Sequence, residues 1–355
     1  MPKLTNVYPR GHFFQQMGGA HHARPRDMVE MGSFYGLQPS ATFAYGNLKD
    51  ADGEMYEIVR RFSHHDELTH GEGAPDDMAR PPVLLLYETT MIDGQALRFD
   101  MAIMAGQAPT NGARIYMDGE TAVWEPAAAA VGKPFRLTFE GDTFTWDEDG
   151  LFSISGTIMR PGLQWYLPGR EYGTFYVSQI FEVAGHVRGK PVTGMIAYDQ
   201  TYMGEGGDLY VCKDLVMENK GHIIWYTWAT RYEDGTWENG HFMLGNGPLG
   251  FALFTDGTTV TTTRDISGRV TPAEGSPFAK RIELTIDGED WEFIPQPLGT
   301  MPDMMRKHPP TPQQEGRWQR VGETRKPAVW FAWGETEPDH GRTPSDRLPT
   351  EPIEA

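Results

Sequence analysis

Apolar and polar residues alternate with a period of two along most of this chain, beginning at Ala41. That period places successive side chains on opposite faces of an extended backbone, the pattern of a half-buried β-strand. The stretch "ATFAYGNLKDADGEMYEIVRRFSH" predicts two strands around a "DADG" turn, where Asp and Gly supply the left-handed positions a hairpin needs. The same grammar repeats in "VLLLYETTMIDGQALRFDMAIMA", "ARIYMDGETAVWEP" and "PFRLTFEGDTFTWDEDGLFSISGTI", with DG, EGD and DEDG turns between the runs. Six or seven strands fit before residue 160. The punctuation of "MRPGLQWYLPGREYG" marks a change of direction, and longer strands follow, from "TFYVSQIFEVAGHV" to "KPAVWFAWGETEP". No helical periodicity of useful length is evident.

Two successive strand sets, whose edges must be closed or covered, predict an all-β protein of two antiparallel barrels or strongly curved sheets packed together. The expected division is an irregular segment over residues 1–40, a barrel over 41–160, a second barrel over 161–340 and a Pro-rich tail over 341–355. Composition agrees: 41 glycines, 27 prolines and 12% aromatic residues favour many strands and tight turns.

The formal charge of -18 repels phosphate backbones and anionic membranes, so nucleic acid is not an expected partner. One cysteine, Cys212, excludes an intramolecular disulfide framework and fits a reducing cytoplasm. The chain has no apolar run of signal-peptide length and no run of about 18 apolar residues, so a soluble protein without a membrane span is expected. No Rossmann, Walker or G-x-S-x-G motif occurs, and the pairs His21–His22 and His64–His65 lack metal-ligand spacing. Neither a metal nor another cofactor is expected. Eighteen methionines and ten tryptophans suit either an irregular core or a pocket for a hydrophobic small molecule.

In "VTGMIAYDQTYM" alternation puts Ile196, Tyr198, Gln200 and Tyr202 on one face and Ala197, Asp199, Thr201 and Met203 on the other. A phenol can protonate a leaving group or hold an oxyanion, and an amide can orient a carbonyl or hydroxyl. Buried, satisfied core tyrosines fit the spacing as well. Asp199 is expected either to pair with Arg231 or to serve as an acid or base. "HIIWYTWATRYEDG" contributes Trp225, Tyr226 and Trp228. "LQWYLPGREYGTFYVSQ" contributes Trp165, Tyr172 and Tyr176 as a lid or as a seal on a core.

The run "EYGTFYVSQIFEVAGHVRGKPVTGMIAYDQTYMG" followed by "HIIWYTWATRYEDGTW" resembles the double-lipocalin superfamily that includes the carotenoid 1,2-hydratases and AttH-like proteins. Tyr176 and Ser178, Gly194, Asp199-Gln200-Thr201-Tyr202, and Arg231 before Asp234-Gly235 fall in that family's order, and "AVWFAWGETE" resembles its closing strand. The resemblance implies two lipocalin-like barrels, a hydrophobic cavity near their junction, and cofactor-free hydration or rearrangement of apolar substrates. The departures bear on mechanism. Gln200 and Tyr202 stand where the hydratases carry His and Trp, and Trp225 and Thr227 fall at their Tyr-x-Asp. Hydration of an unactivated alkene needs a strong positioned acid, so tyrosine-assisted elimination is the better expectation.

The expected function is therefore a cofactor-independent lyase or hydro-lyase. Its substrate would be a phenolic, lignin-derived aromatic dimer, losing water or formaldehyde or opening an aryl ether ring, or else an isoprenoid. Tyr202 is the first candidate for proton transfer, Tyr198 or Tyr226 for its partner, Gln200 for orientation and Asp199 for support. Trp165, Tyr172, Tyr176, Trp225, Trp228 and Arg231 are the candidate substrate-binding residues. A non-catalytic lipid or terpenoid carrier and an isomerase are the alternatives, and a homodimer is left open.

Overall fold

The computed structural model describes residues 16–64, 83–107, 113–128, 131–168, 173–210, 222–245, 249–306 and 312–336. Strands dominate, as the alternation requires. The predicted hairpin forms from β2 (Gln38–Asp50) and β3 (Met55–Ser63), paired in antiparallel register from Ala41↔Ser63 to Lys49↔Met55. Gly53 in its turn has φ +86, a conformation that costs glycine nothing.

One sheet runs in the order β5 (Arg98–Phe99), β4 (Val83–Thr89), β3, β2, β13 (Lys190–Met203), β12 (Thr174–Val187), β10 (Phe152–Ile158), β9 (Thr143–Glu148), β8 (Phe135–Glu140), β7 (Thr121–Pro126) and β6 (Ala113–Asp118). The other has nine strands among the described residues, with β14 (His222–Tyr232) between β15 (Trp237–Gly245) and β22 (Pro327–Thr336). The strands of both sheets pair antiparallel among the described residues, and each sheet curls around its own hydrophobic cluster. The expectation of an all-β protein built on two such sheets is met.

The chain division differs from the expected one. One compact unit comprises His21–Gly162 with Tyr176–Tyr202, and the other takes the described residues of Met1–Ala20, Leu163–Phe175 and Met203–Ala355. Residues 176–202 therefore belong with the first unit, not with a barrel over 161–340. The reason is a non-local pairing of β13 against β2. Gly46 and Gly194 let the two backbones meet, since a Cβ at either would collide with a main-chain carbonyl of the facing strand, Met195 or Asn47.

Among the described residues three short helical segments were not foreseen: α1 (Pro25–Val29), α2 (Met101–Gln107) and a 3-10 turn at Pro302–Arg306. All are too short to display a helical period. Helix α1 starts on Pro25 and is closed by Asp27, whose carboxylate accepts the Arg24 amide N–H at 2.9 Å and the Arg24 guanidinium. It packs on β6 (Ala113–Asp118) and β7 (Thr121–Pro126). Among the described residues no helix is long and apolar enough to cross a membrane.

In the first unit's core Arg60 and Glu148 form a buried ion pair. Arg60 Nε donates to Glu148 Oε1 at 3.0 Å, the Trp146 indole donates to the same oxygen at 2.9 Å, and Arg60 lies 4.2 Å over the Phe135 ring. Burial pushes the Glu148 carboxyl above its usual range, and Arg60 opposes that push.

Candidate functional site

Strand β13 separates its two faces as alternation predicts, but the two faces have different uses. Ile196 and Tyr198 lie in the first unit's core, where Tyr198 packs edge-on to Trp124 with centroids 5.3 Å apart. The Tyr198 hydroxyl donates to the Met28 carbonyl at 3.0 Å, and Gln200 Nε2 donates to the Asp27 carbonyl at 3.1 Å. Both side chains thus hold the last turn of α1. Tyr202 meets Phe34 edge-on at 5.1 Å. Burial, then the charge of Asp27, pushes its phenol above the usual tyrosine range; burial does the same to Tyr198.

The opposite face carries Asp199, which is wholly buried. The Tyr176 hydroxyl, from neighbouring β12, donates to Asp199 Oδ2. Burial pushes the Asp199 carboxyl up to about 6, while the hydroxyls of Ser178, Tyr176 and Tyr45 hold it down. Two residues along, Thr201 Oγ1 accepts the Ala41 N–H at 3.0 Å and donates to the Ala41 carbonyl at 2.9 Å, fixing β13 against β2. The polar character continues across the sheet. Asn47 Nδ2 donates to the cross-strand Glu57, which in turn faces Glu88 on β4 (Val83–Thr89).

The ion pair expected between Asp199 and Arg231 is not what forms: hydroxyls surround the carboxyl, and Arg231 Nη1 donates to the Gly235 carbonyl at 2.8 Å in its own turn. Arg231 closes the hairpin that "EDG" begins, which accounts for its place before that turn.

In the second unit Trp165 and Trp225 meet edge-on at 5.6 Å, Trp165 lies 5.4 Å from Phe251, and Tyr210 stacks on Trp225 at 6.4 Å. Polar groups border these rings. Tyr210 donates to Glu335 Oε1 at 2.9 Å, Gln313 Nε2 donates to Glu335 Oε2 at 3.0 Å, and the Trp333 indole donates to Gln313 at 2.9 Å. The Thr227 hydroxyl lies 3.1 Å from His241 Nδ1, and burial lowers that imidazole to about 3, so it is neutral. Trp228 and Tyr226 occupy the other face of β14, in the hydrophobic cluster with Trp291, Phe293 and Trp318. The structure therefore brings two of the three expected tryptophan walls together and puts the third in the core. Tyr226 likewise belongs to the second unit's core. Tyr172 lies outside the described residues.

No family model matches the chain, and no curated protein does. Among solved structures it is similar to a candidate AttH from Nitrosomonas europaea, with 15% identity over 87% of this chain and 95% of that one and a TM-score of 0.48. It is also similar to CghA, with 12% identity, coverage of 84% and 88% and a TM-score of 0.43. For kievitone hydratase from Nectria haematococca the values are 10% identity, coverage of 89% and 95%, and a TM-score of 0.42.

The strand order alone carries the double-sheet architecture. Within the first unit, Asp199 and Tyr176 meet at a wholly buried carboxyl that burial pushes up to about 6. Tyr45 and Ser178 complete that cluster. Ser178 was visible as part of the family-like pattern, while Tyr45 gave no signal, since only the pairing of β2 with β13 brings it near.

Proposed function

We propose that this protein is a cofactor-independent lyase of the hydro-lyase type, with Asp199 as the proton-transfer group and Tyr176 as its hydrogen-bonding partner. The observation that carries this reading is the buried Asp199 carboxyl, pushed up to about 6 and held by the Tyr176 hydroxyl. A carboxyl with that affinity serves as a base in its ionised form and as an acid once protonated. In the dehydrating direction Asp199 takes the proton next to the leaving group. The C–O electron pair leaves with the hydroxyl as the C–H pair becomes the new C=C bond, and Asp199 returns the proton to the departing oxygen as water. No net proton or electron is exchanged.

The substrate is a hydrophobic hydroxylated small molecule, either a phenolic aromatic dimer or an isoprenoid, used in a reducing cytoplasm. A phenol in conjugation with the leaving group lowers the demand for a strong acid. Tyr198, Gln200 and Tyr202 hold residues 27–34 against β13 in this reading. The reading is tested by dehydration assays on phenolic benzylic alcohols with wild type and Asp199→Asn. A loss of about 10²-fold or more in kcat with little change in KM supports proton transfer. Equal loss of binding and turnover supports a carrier instead.

A further inference from the structure

A groove of about 460 Å³ opens in the first unit, lined among the described residues by Val29, Met31, Gln38, Pro39, His64 and Ile115. That volume lies in the range of small-molecule sites. Its walls are fixed from beneath. The wholly buried Thr42 hydroxyl lies 2.8 Å from His64 Nε2 and donates to Met31 Sδ at 3.7 Å, so one side chain positions two of the lining groups. Val29 ends α1, whose last turn Tyr198 and Gln200 hold from β13. Thr42 also hydrogen-bonds Tyr198, which places the groove on the Tyr198 side of β13 and apart from the Asp199 cluster on the opposite face.

The lining selects the ligand's chemistry. Among the described residues no charged side chain lines the groove, so a neutral molecule fits and an ion would lose its hydration without compensation. The Met31 thioether, the His64 imidazole and the Pro39 ring are surfaces on which a planar ring packs. The Ser33 hydroxyl donates to Gln38 Oε1 at 2.7 Å, which engages the amide oxygen, so the group Gln38 offers a ligand is its Nε2 donor. We infer that this groove is a ligand site of its own, which binds a neutral planar aromatic molecule whose carbonyl oxygen accepts from Gln38 Nε2. The site goes beyond the lyase reading and does not depend on Asp199.

The test is a methyl NMR titration of the full chain carrying methyl-labelled methionine, with the Met31 signal identified by its loss in Met31→Leu. 2-Acetylnaphthalene is expected to move the Met31 signal saturably. It should bind about fivefold more tightly than 2-ethylnaphthalene, which has the same rings and no acceptor, the ratio expected for one neutral hydrogen bond. Gln38→Leu, at an exposed position, brings the two affinities within about twofold of each other. Ile115→Trp fills the groove and abolishes both titrations; should that variant fail to fold, Gln38→Leu decides alone. Asp199→Asn leaves both affinities unchanged while it removes turnover, so the groove and the lyase reading stand or fall separately. No saturable movement of the Met31 signal, equal affinities in wild type, a preference unchanged in Gln38→Leu, binding retained in a folded Ile115→Trp, or binding lost in Asp199→Asn overturns the inference.

Discussion

The Tyr176 hydroxyl donates to the Asp199 carboxylate, joining two neighbouring strands through a buried charge-accepting group. A carboxyl in that setting is held against its own preference for water, and its protonation is therefore coupled to stability.

Asp199→Asn is expected to stabilise the fold at neutral pH while abolishing turnover. The folded carboxyl is raised to about 6 from 3.8, so the native state binds more protons than the unfolded chain between those values. The group's cost is absent below the unfolded value and fully present once pH rises above the folded one. A shift of that size corresponds to roughly 3 kcal/mol. Denaturant melts of both proteins should separate above about pH 6 and converge near pH 4; curves that differ by the same amount at both ends would sink the assignment.

Tyr176→Phe removes a donor from the ionised carboxyl. The Asp199 titration should move upward, and the acidic limb of the kcat/KM profile with it, with a rate loss of about tenfold or more. An unchanged profile would mean that Tyr176 only packs.

Tyr198→Phe and Gln200→Ala each break one grip on α1. Each should lower stability by about 0.5–1.5 kcal/mol and leave kcat within a few-fold of wild type. A rate loss of two orders of magnitude in a protein that still folds would restore the core-facing residues to the chemistry.

Gly194→Ala drives a Cβ into the Asn47 carbonyl across the β2–β13 pair. The expected cost is about 3 kcal/mol or more, read from urea unfolding, because two backbones must part. Gly189→Ala provides the contrast: it sits in the turn before β13 with open space around its Cβ position, so only its left-handed φ of +79 is strained and the loss is about 1 kcal/mol.

Alternation along β13 was legible because period two is a property of any extended chain, and it separated Asp199 from Tyr198 correctly. It could not say which face looks into the core, because Tyr198 with Gln200 and Asp199 with Met203 both read as mixtures of polar and apolar groups. The deciding contacts are long-range: Met28 stands 170 residues from Tyr198, and Ala41 stands 160 from Thr201. Trp165 and Trp225 were legible as aromatic residues, while their edge-on meeting was not, and Trp228 turned inward because it occupies the opposite parity of β14.

By itself the sequence determined the strand-and-turn grammar, the all-β class and the acidic, cysteine-poor character, since these depend on local sterics, side-chain period and composition. Only the tertiary structure decided that β13 pairs with β2, that Tyr198 and Gln200 grip α1, and that Tyr176, Ser178 and Tyr45 gather on Asp199. Proton affinity is set by burial and by neighbours that are distant in the chain, and a linear sequence carries neither.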